Sequence, residues 1–289
     1  MNVWILAARP KTLFASVSPV IMGTAMAYAE GRFHALSAFA ALLGAVLIQI
    51  GTNFANDYFD YFKGADTHER LGPTRATQAG LVPPQAMKKA YILTFALAIA
   101  VGVYLVWRGG WPVVAIGLVS ILFGILYTAT PLALGYTGLA DLFVLIFFGP
   151  VAVAGTYYVQ ALSVNGAVIL AGLAPGLFSV AILTVNNLRD IEQDRKAGKK
   201  TLAVRFGQTF AKVEYISSLV LACGIATFLV LAQKNHPYSL AVWLSLLFAI
   251  PAIKNVLHFR EARMLNPVLA TTGKLLFLFS LIFSAGWIL

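Results

Sequence analysis

The chain has 289 residues, of which 60% are hydrophobic and 11% charged, with a mean hydropathy of +0.81. Soluble domains carry nearer a quarter charged residues, so this composition excludes a water-soluble globular protein. A net charge of +10 would suggest nucleic acid in a soluble chain, but here the bases sit between long apolar runs, which points to a lipid bilayer and away from nucleic acid.

Crossing the hydrocarbon core takes about 20 apolar residues. Runs of that kind lie at about 12–29, 36–60, 88–107, 112–128, 139–159, 166–188, 213–232, 239–258 and 269–288. They predict an all-α membrane protein of nine transmembrane helices, read as a single polytopic domain over residues 1–289. Residues 1–8 lack a basic leader, so no cleavable signal peptide is expected. The single cysteine, Cys223, excludes an internal disulfide. Pro19, Pro150, Pro175 and Pro251 fall inside spans, as membrane helices tolerate.

With the N-terminus in the cytoplasm, all but Arg32, Arg108 and Lys234 of the 21 basic residues lie on the inner side. That is the orientation favoured by the positive-inside rule in a cytoplasmic membrane, and it leaves the C-terminus outside. Two long inner connections, about 61–87 and 189–212, are expected to cap a cavity opening to the cytoplasmic side.

The acids gather with the bases, which orientation does not require. Asp57, Asp60, Asp66 and Glu69 follow the second span, and Asp190, Glu192 and Asp194 follow the sixth. Asn56 and Asp60 are four residues apart, as are Asn186, Asp190 and Asp194, so on a helix each set stacks on one face. Carboxylate and amide oxygens suit a hard cation such as Mg2+, which is commonly held by few carboxylates together with substrate phosphates. The plain alternative is two ordinary polar helix ends. Their duplication, four spans apart and therefore parallel, favours ligands and suggests two four-helix units plus one helix around a central cavity. The neighbouring bases Lys63, Arg75, Arg189, Lys199, Lys200 and Arg205 fit phosphate oxygens. An allylic diphosphate, whose apolar tail would lie between the helices, meets all these demands.

Asn56, Asp57 and Asp60 match the motif Asn-Asp-x-x-Asp-x-x-x-Asp. The third aspartate falls on Gly64 instead, with Asp66 two residues late, and Asp190 and Asp194 match a second Asp-x-x-x-Asp. On these residues and the nine-span layout the chain resembles the UbiA superfamily of intramembrane prenyltransferases over essentially its full length. The stretch Asn-Asp-Tyr-Phe-Asp-Tyr-x-x-Gly-x-Asp from Asn56, with Arg9-Pro-Lys-Thr-Leu, Gly72-Pro-Thr-Arg75 and Phe148-Gly-Pro, is similar to the branch acting on 1,4-dihydroxy-2-naphthoate in menaquinone synthesis. The resemblance implies Mg2+ held by Asn56, Asp60, Asp66, Asp190 and Asp194. It also implies phosphate contacts from Lys63, Arg75, Lys199 and Arg205, with Asn56 and Asn186 beside the substrate. Polyprenyl diphosphate and an aromatic acid would be the partners, and Asp60, Asp190 and Asp194 the catalytic carboxylates. Arg9 is the candidate for the acceptor carboxylate; the other reading makes Arg9 and Lys11 orientation anchors only. Prenylation of 4-hydroxybenzoate and, from another class, cation transport are the competing functions.

Overall fold

The structure is a computed structural model that describes residues 2–63, 71–126, 129 and 137–289, residue 63 by its backbone alone. Asp66 and the Lys63 side chain therefore lie outside the described residues. Among those residues the secondary structure is helical throughout, with no strand. Eight helical stretches are long and apolar enough to span a membrane, and Trp111–Leu126 is a shorter apolar ninth. This is a multi-pass membrane protein.

The first span begins earlier than expected. Asn2 caps α1 (Val3–Ala8) by accepting the Trp4 N–H at 2.9 Å. The chain breaks at Arg9, passes through a 3-10 turn (Pro10–Thr12) and continues as α2 (Leu13–Ala29). Arg9 is therefore inside the first helical stretch rather than ahead of it. Next come α3 (Ala35–Lys63), α4 (Pro84–Gly109) and α5 (Trp111–Leu126).

The fifth span is broken into α6 (Ala140–Ile146), a π turn (Phe147–Val151) and α7 (Ala152–Ala161). Pro150 has no N–H to donate, and Gly149 takes a non-helical conformation (φ −112°, ψ −113°). That break packs on α8 (Gly166–Arg189) at Gly172 and Gly176. A Cβ on Gly176 would stand 2.4 Å from the Leu145 carbonyl oxygen, and one on Gly172 2.6 Å from Pro150 Cα. The small-xxx-small spacing thus lets two backbones touch. Gly176→Leu is expected to cost about 2–3 kcal/mol by overpacking, read as lowered thermal stability in detergent; unchanged stability would contradict the close approach.

The connection expected over 189–212 is mostly helical. It contains α9 (Ile191–Lys196) and the first turns of α10 (Leu202–Gln233). Thr201 caps α10 by accepting the Val204 N–H at 3.3 Å. Gly207, at φ 84°, allows a break that a residue with a Cβ would resist. The chain ends with a 3-10 turn (Pro237–Trp243), α11 (Leu244–His258), a second such turn (Ala262–Met264) and α12 (Leu265–Ile288).

α12 packs against α2 and α8, so the last helix closes on the first. The main core lies there, between α2, α8, α10 and α12, around Met22, Phe178, Tyr215, Leu219 and Phe279. α3, α4 and α5 pack mainly on one another. A large cavity is left between them and the well-packed half.

Candidate active site

The first motif occupies the last turns of α3. Asn53, Asn56 and Asp60 recur at helical spacing and line the cavity. Asp57 does different work. Its carboxylate, in a residue 1% exposed, accepts the Ala76 N–H at 3.0 Å and the Thr77 N–H at 3.1 Å. That anchors the following loop so that Arg75 reaches Asp60, Nη2 to Oδ2, at 2.7 Å. Asp57 is thus tied into the loop's backbone, while Asp60 faces the cavity.

The second motif is bent rather than straight. α8 ends at Arg189, and Asp190 leaves helical backbone at φ −97°, ψ 11°. The main-chain ladder nevertheless continues: the Asp190 N–H donates to Asn186 O at 3.1 Å and the Asp194 N–H to Asp190 O at 2.8 Å. Asn186, Asp190 and Asp194 therefore all line the same cavity as Asn56 and Asp60. Lys199 meets Asp194 Oδ1 at 2.7 Å. Burial pushes the Asp194 carboxyl above its ordinary range, and the Lys199 ammonium pulls it back.

Arg189, 2% exposed, braces this end. It forks onto Asp190 with Nε to Oδ1 at 2.7 Å and Nη2 to Oδ2 at 2.5 Å. It also donates to Asn186 Oδ1 at 2.8 Å and Asn266 Oδ1 at 2.9 Å. Asn266, on α12, in turn donates to the Leu71 carbonyl at 2.8 Å and so joins the last helix to the first loop. Sequence reasoning missed Asn266, because Asn-Pro at 266–267 reads as nothing more than a helix start.

Arg9 sits at the break between α1 and the following turn, in the left-handed region (φ 52°, ψ 70°). That conformation costs a residue with a Cβ roughly 1–2 kcal/mol, so the surroundings must hold it. Arg9 lines the cavity, and its Nη2 is buried with no hydrogen-bond partner among the described residues. Arg205 is exposed beside Gly138 and is absent from the cavity wall. The structure therefore does not bring it to the motifs.

The cavity measures about 1530 Å³. Its charged end carries Arg9, Lys11, Arg75, Arg189, Lys199 and Lys274 against Asp60, Asp190 and Asp194, an excess of three positive charges among the described lining residues. The donor set of carboxylate and amide oxygens fits Mg2+. Among the described residues, no three acidic, histidine or cysteine side chains form a cage for a metal unaided. Further oxygens would come from substrate, water or residues outside the described ones, and a polyanion matches the surplus positive charge. From Asp60 the wall follows α3 back to Ala41, about 28 Å at 1.5 Å per residue. Most of that length is apolar, and Phe123, Phe143 and Phe147 form part of it with ring centroids 4.6, 5.2 and 6.2 Å apart.

Two clusters of carboxylate and amide oxygens thus stand at the charged end of an apolar, helix-lined passage. The profile of the UbiA prenyltransferase family matches residues 16–281. The chain belongs to that family. Among curated members, the 1,4-dihydroxy-2-naphthoate octaprenyltransferase of Escherichia coli is 39% identical over 98% of this chain and 94% of its own length. The Mycobacterium tuberculosis protein of the same name is 37% identical over 93% of this chain and 91% of its own. A UbiA homolog from Archaeoglobus fulgidus, solved bound to GPP and Mg2+, superposes with a TM-score of 0.66 at 16% identity, covering 99% of both chains. The last of these shows the fold; the family assigns prenyl transfer.

Proposed function

We propose that this UbiA-family enzyme transfers a polyprenyl group from its diphosphate to 1,4-dihydroxy-2-naphthoate, releasing diphosphate and carbon dioxide. The product is a demethylated menaquinone precursor in its quinol form. The observation that carries the reading is that Asn56, Asp60, Asn186, Asp190 and Asp194 line one cavity whose charged mouth leads into an apolar passage. The names of the E. coli and M. tuberculosis relatives support the acceptor.

In this reading the Asn56–Asp60 and Asn186–Asp190–Asp194 ends, with Asp66 beyond the described residues, would hold Mg2+. The ion, when bound, neutralises the diphosphate and makes it a better leaving group. Arg75 and Lys199 exchange their ion pairs with Asp60 and Asp194 for phosphate oxygens, and Lys63 joins them. The carbon–oxygen bond to diphosphate breaks with its electron pair on oxygen. The Phe123, Phe143 and Phe147 rings flank the allylic cation and exclude water. The ring carbon bearing the carboxylate then attacks, and loss of carbon dioxide returns its electron pair to the ring. Because the carboxylate departs rather than a proton, rearomatisation needs no base. Arg9 holds that carboxylate in place through its buried Nη2 at the cavity wall. The charge distribution supports a cytoplasmic N-terminus and a cytoplasmic mouth, in a cytoplasmic membrane.

The test uses purified protein in lipid, octaprenyl diphosphate, Mg2+ and carboxyl-labelled 1,4-dihydroxy-2-naphthoate. One labelled carbon dioxide per prenylated product is expected. Prenylation of 4-hydroxybenzoate with its carboxyl retained, and none of the naphthoate, would overturn the acceptor assignment.

A further inference from the structure

Asn53 lies one turn before the first motif and outside both of them, yet its residue is only 3% exposed. Its side-chain amide spans two helices. Nδ2 donates to the Ala8 carbonyl at 2.9 Å and to Thr12 Oγ1 at 3.0 Å. The Thr12 hydroxyl in turn donates a hydrogen bond to the Arg9 carbonyl at 2.9 Å. The Ala8 carbonyl can only accept, which fixes which way the Asn53 amide faces, and the Asn53 oxygen accepts from Gln49 Nε2 at 3.4 Å. The bonds to Ala8 and Thr12 therefore bracket Arg9 on its N- and C-terminal sides. Between them Arg9 holds the left-handed conformation, with a guanidinium nitrogen buried at the cavity wall and without a hydrogen-bond partner among the described residues.

We propose that Asn53 and Thr12 form a latch that fixes the backbone turn at Arg9 and so aims its guanidinium at the acceptor carboxylate. Asn53 is a positioning residue for the acceptor, distinct from the metal and diphosphate ligands further along α3. This inference rests on the assignment of Arg9 to that carboxylate. Physically, a left-handed arginine has no intrinsic reason to stay there. Removing the amide frees the Ala8 carbonyl and the Thr12 hydroxyl, and the turn relaxes to ordinary backbone with the side chain carried elsewhere. The diphosphate ligands, Asp60 above all, keep their own supports in Arg75 and the loop held by Asp57.

The latch predicts a split in kinetic constants. Asn53→Ala should raise KM for 1,4-dihydroxy-2-naphthoate about tenfold while KM for octaprenyl diphosphate stays within twofold. Thr12→Val should act in the same direction, and Thr12→Ser, which keeps the hydroxyl, should restore most of the loss. Asn53→Ala is then introduced into the Arg9→Gln background, where it should add almost nothing, because residues acting through one contact are not additive. If Arg9→Gln raises the acceptor KM but Asn53→Ala and Thr12→Val do not, or if their effects multiply with that of Arg9→Gln, the latch is wrong and the role of Arg9 stands. If Arg9→Gln leaves the acceptor KM unchanged, the assignment of Arg9 falls and the latch with it. Thr12→Val provides the same readout should Asn53→Ala not fold.

Discussion

Replacing Asp60 with alanine lowers kcat/KM by at least about 10³-fold, equivalent to some 4 kcal/mol of lost transition-state stabilisation. The size follows from how few hard donors the chain offers. Of the carboxylates lining the cavity, Asp60 is the one that α3 contributes, and Lewis-acid catalysis is worth several kcal/mol. The protein should stay folded and inserted, because Asp57 rather than Asp60 carries the backbone of the following loop. Turnover in proteoliposomes against added Mg2+, with thermal stability measured alongside, checks both halves. Near-normal turnover at low Mg2+ would remove the metal assignment. Asp190→Ala should lose activity to the same extent, but at a cost in stability, because it also strips the fork from Arg189.

The second large effect is structural. Arg189→Ala should destabilise the protein by about 3 kcal/mol, the lower end for breaking a buried ion pair by removing one partner. The Asp190 side chain retains 21% exposure and regains some hydration, while that of Arg189 keeps 1%. Asn186 and Asn266 lose their donor in the same step. Arg189→Lys keeps the charge but cannot make the planar fork, so it should fall between the two. Denaturant titration in mixed micelles measures the series. If Arg189→Ala unfolds at the same denaturant concentration as the parent, the brace contributes nothing to holding the second motif.

What was legible in the sequence was what repeats locally. Apolar length marks the spans, and four-residue spacing puts Asn56 with Asp60 and Asn186 with Asp190 because a helix makes neighbours of such residues. The misreadings have local causes too. Val3–Ala8 is apolar but too short to read as part of a span, so by sequence Arg9 falls ahead of the first span instead of within it. The whole connection over 189–212 looked like a loop, although it is mostly helical, with Lys199 and Lys200 in the short break between α9 and an α10 that Thr201 caps and Gly207 lets bend. The long-range partners were not legible at all. Nothing in the chain announces that Asp57 will hold the backbone at Ala76 and Thr77, or that Asn266 will reach Leu71. Such pairs are decided by helix packing, after the spans have assembled.

The bond between Asn266 and the Leu71 carbonyl joins positions 195 residues apart, and it has a consequence for biogenesis. During synthesis the first acidic cluster is delivered to the bilayer long before the polypeptide that braces the second has left the ribosome. Catalytic competence must therefore arrive late, in one step, when the final hydrophobic segment swings in beside the earliest one. Nascent chains stalled short of that segment would be inserted yet inert.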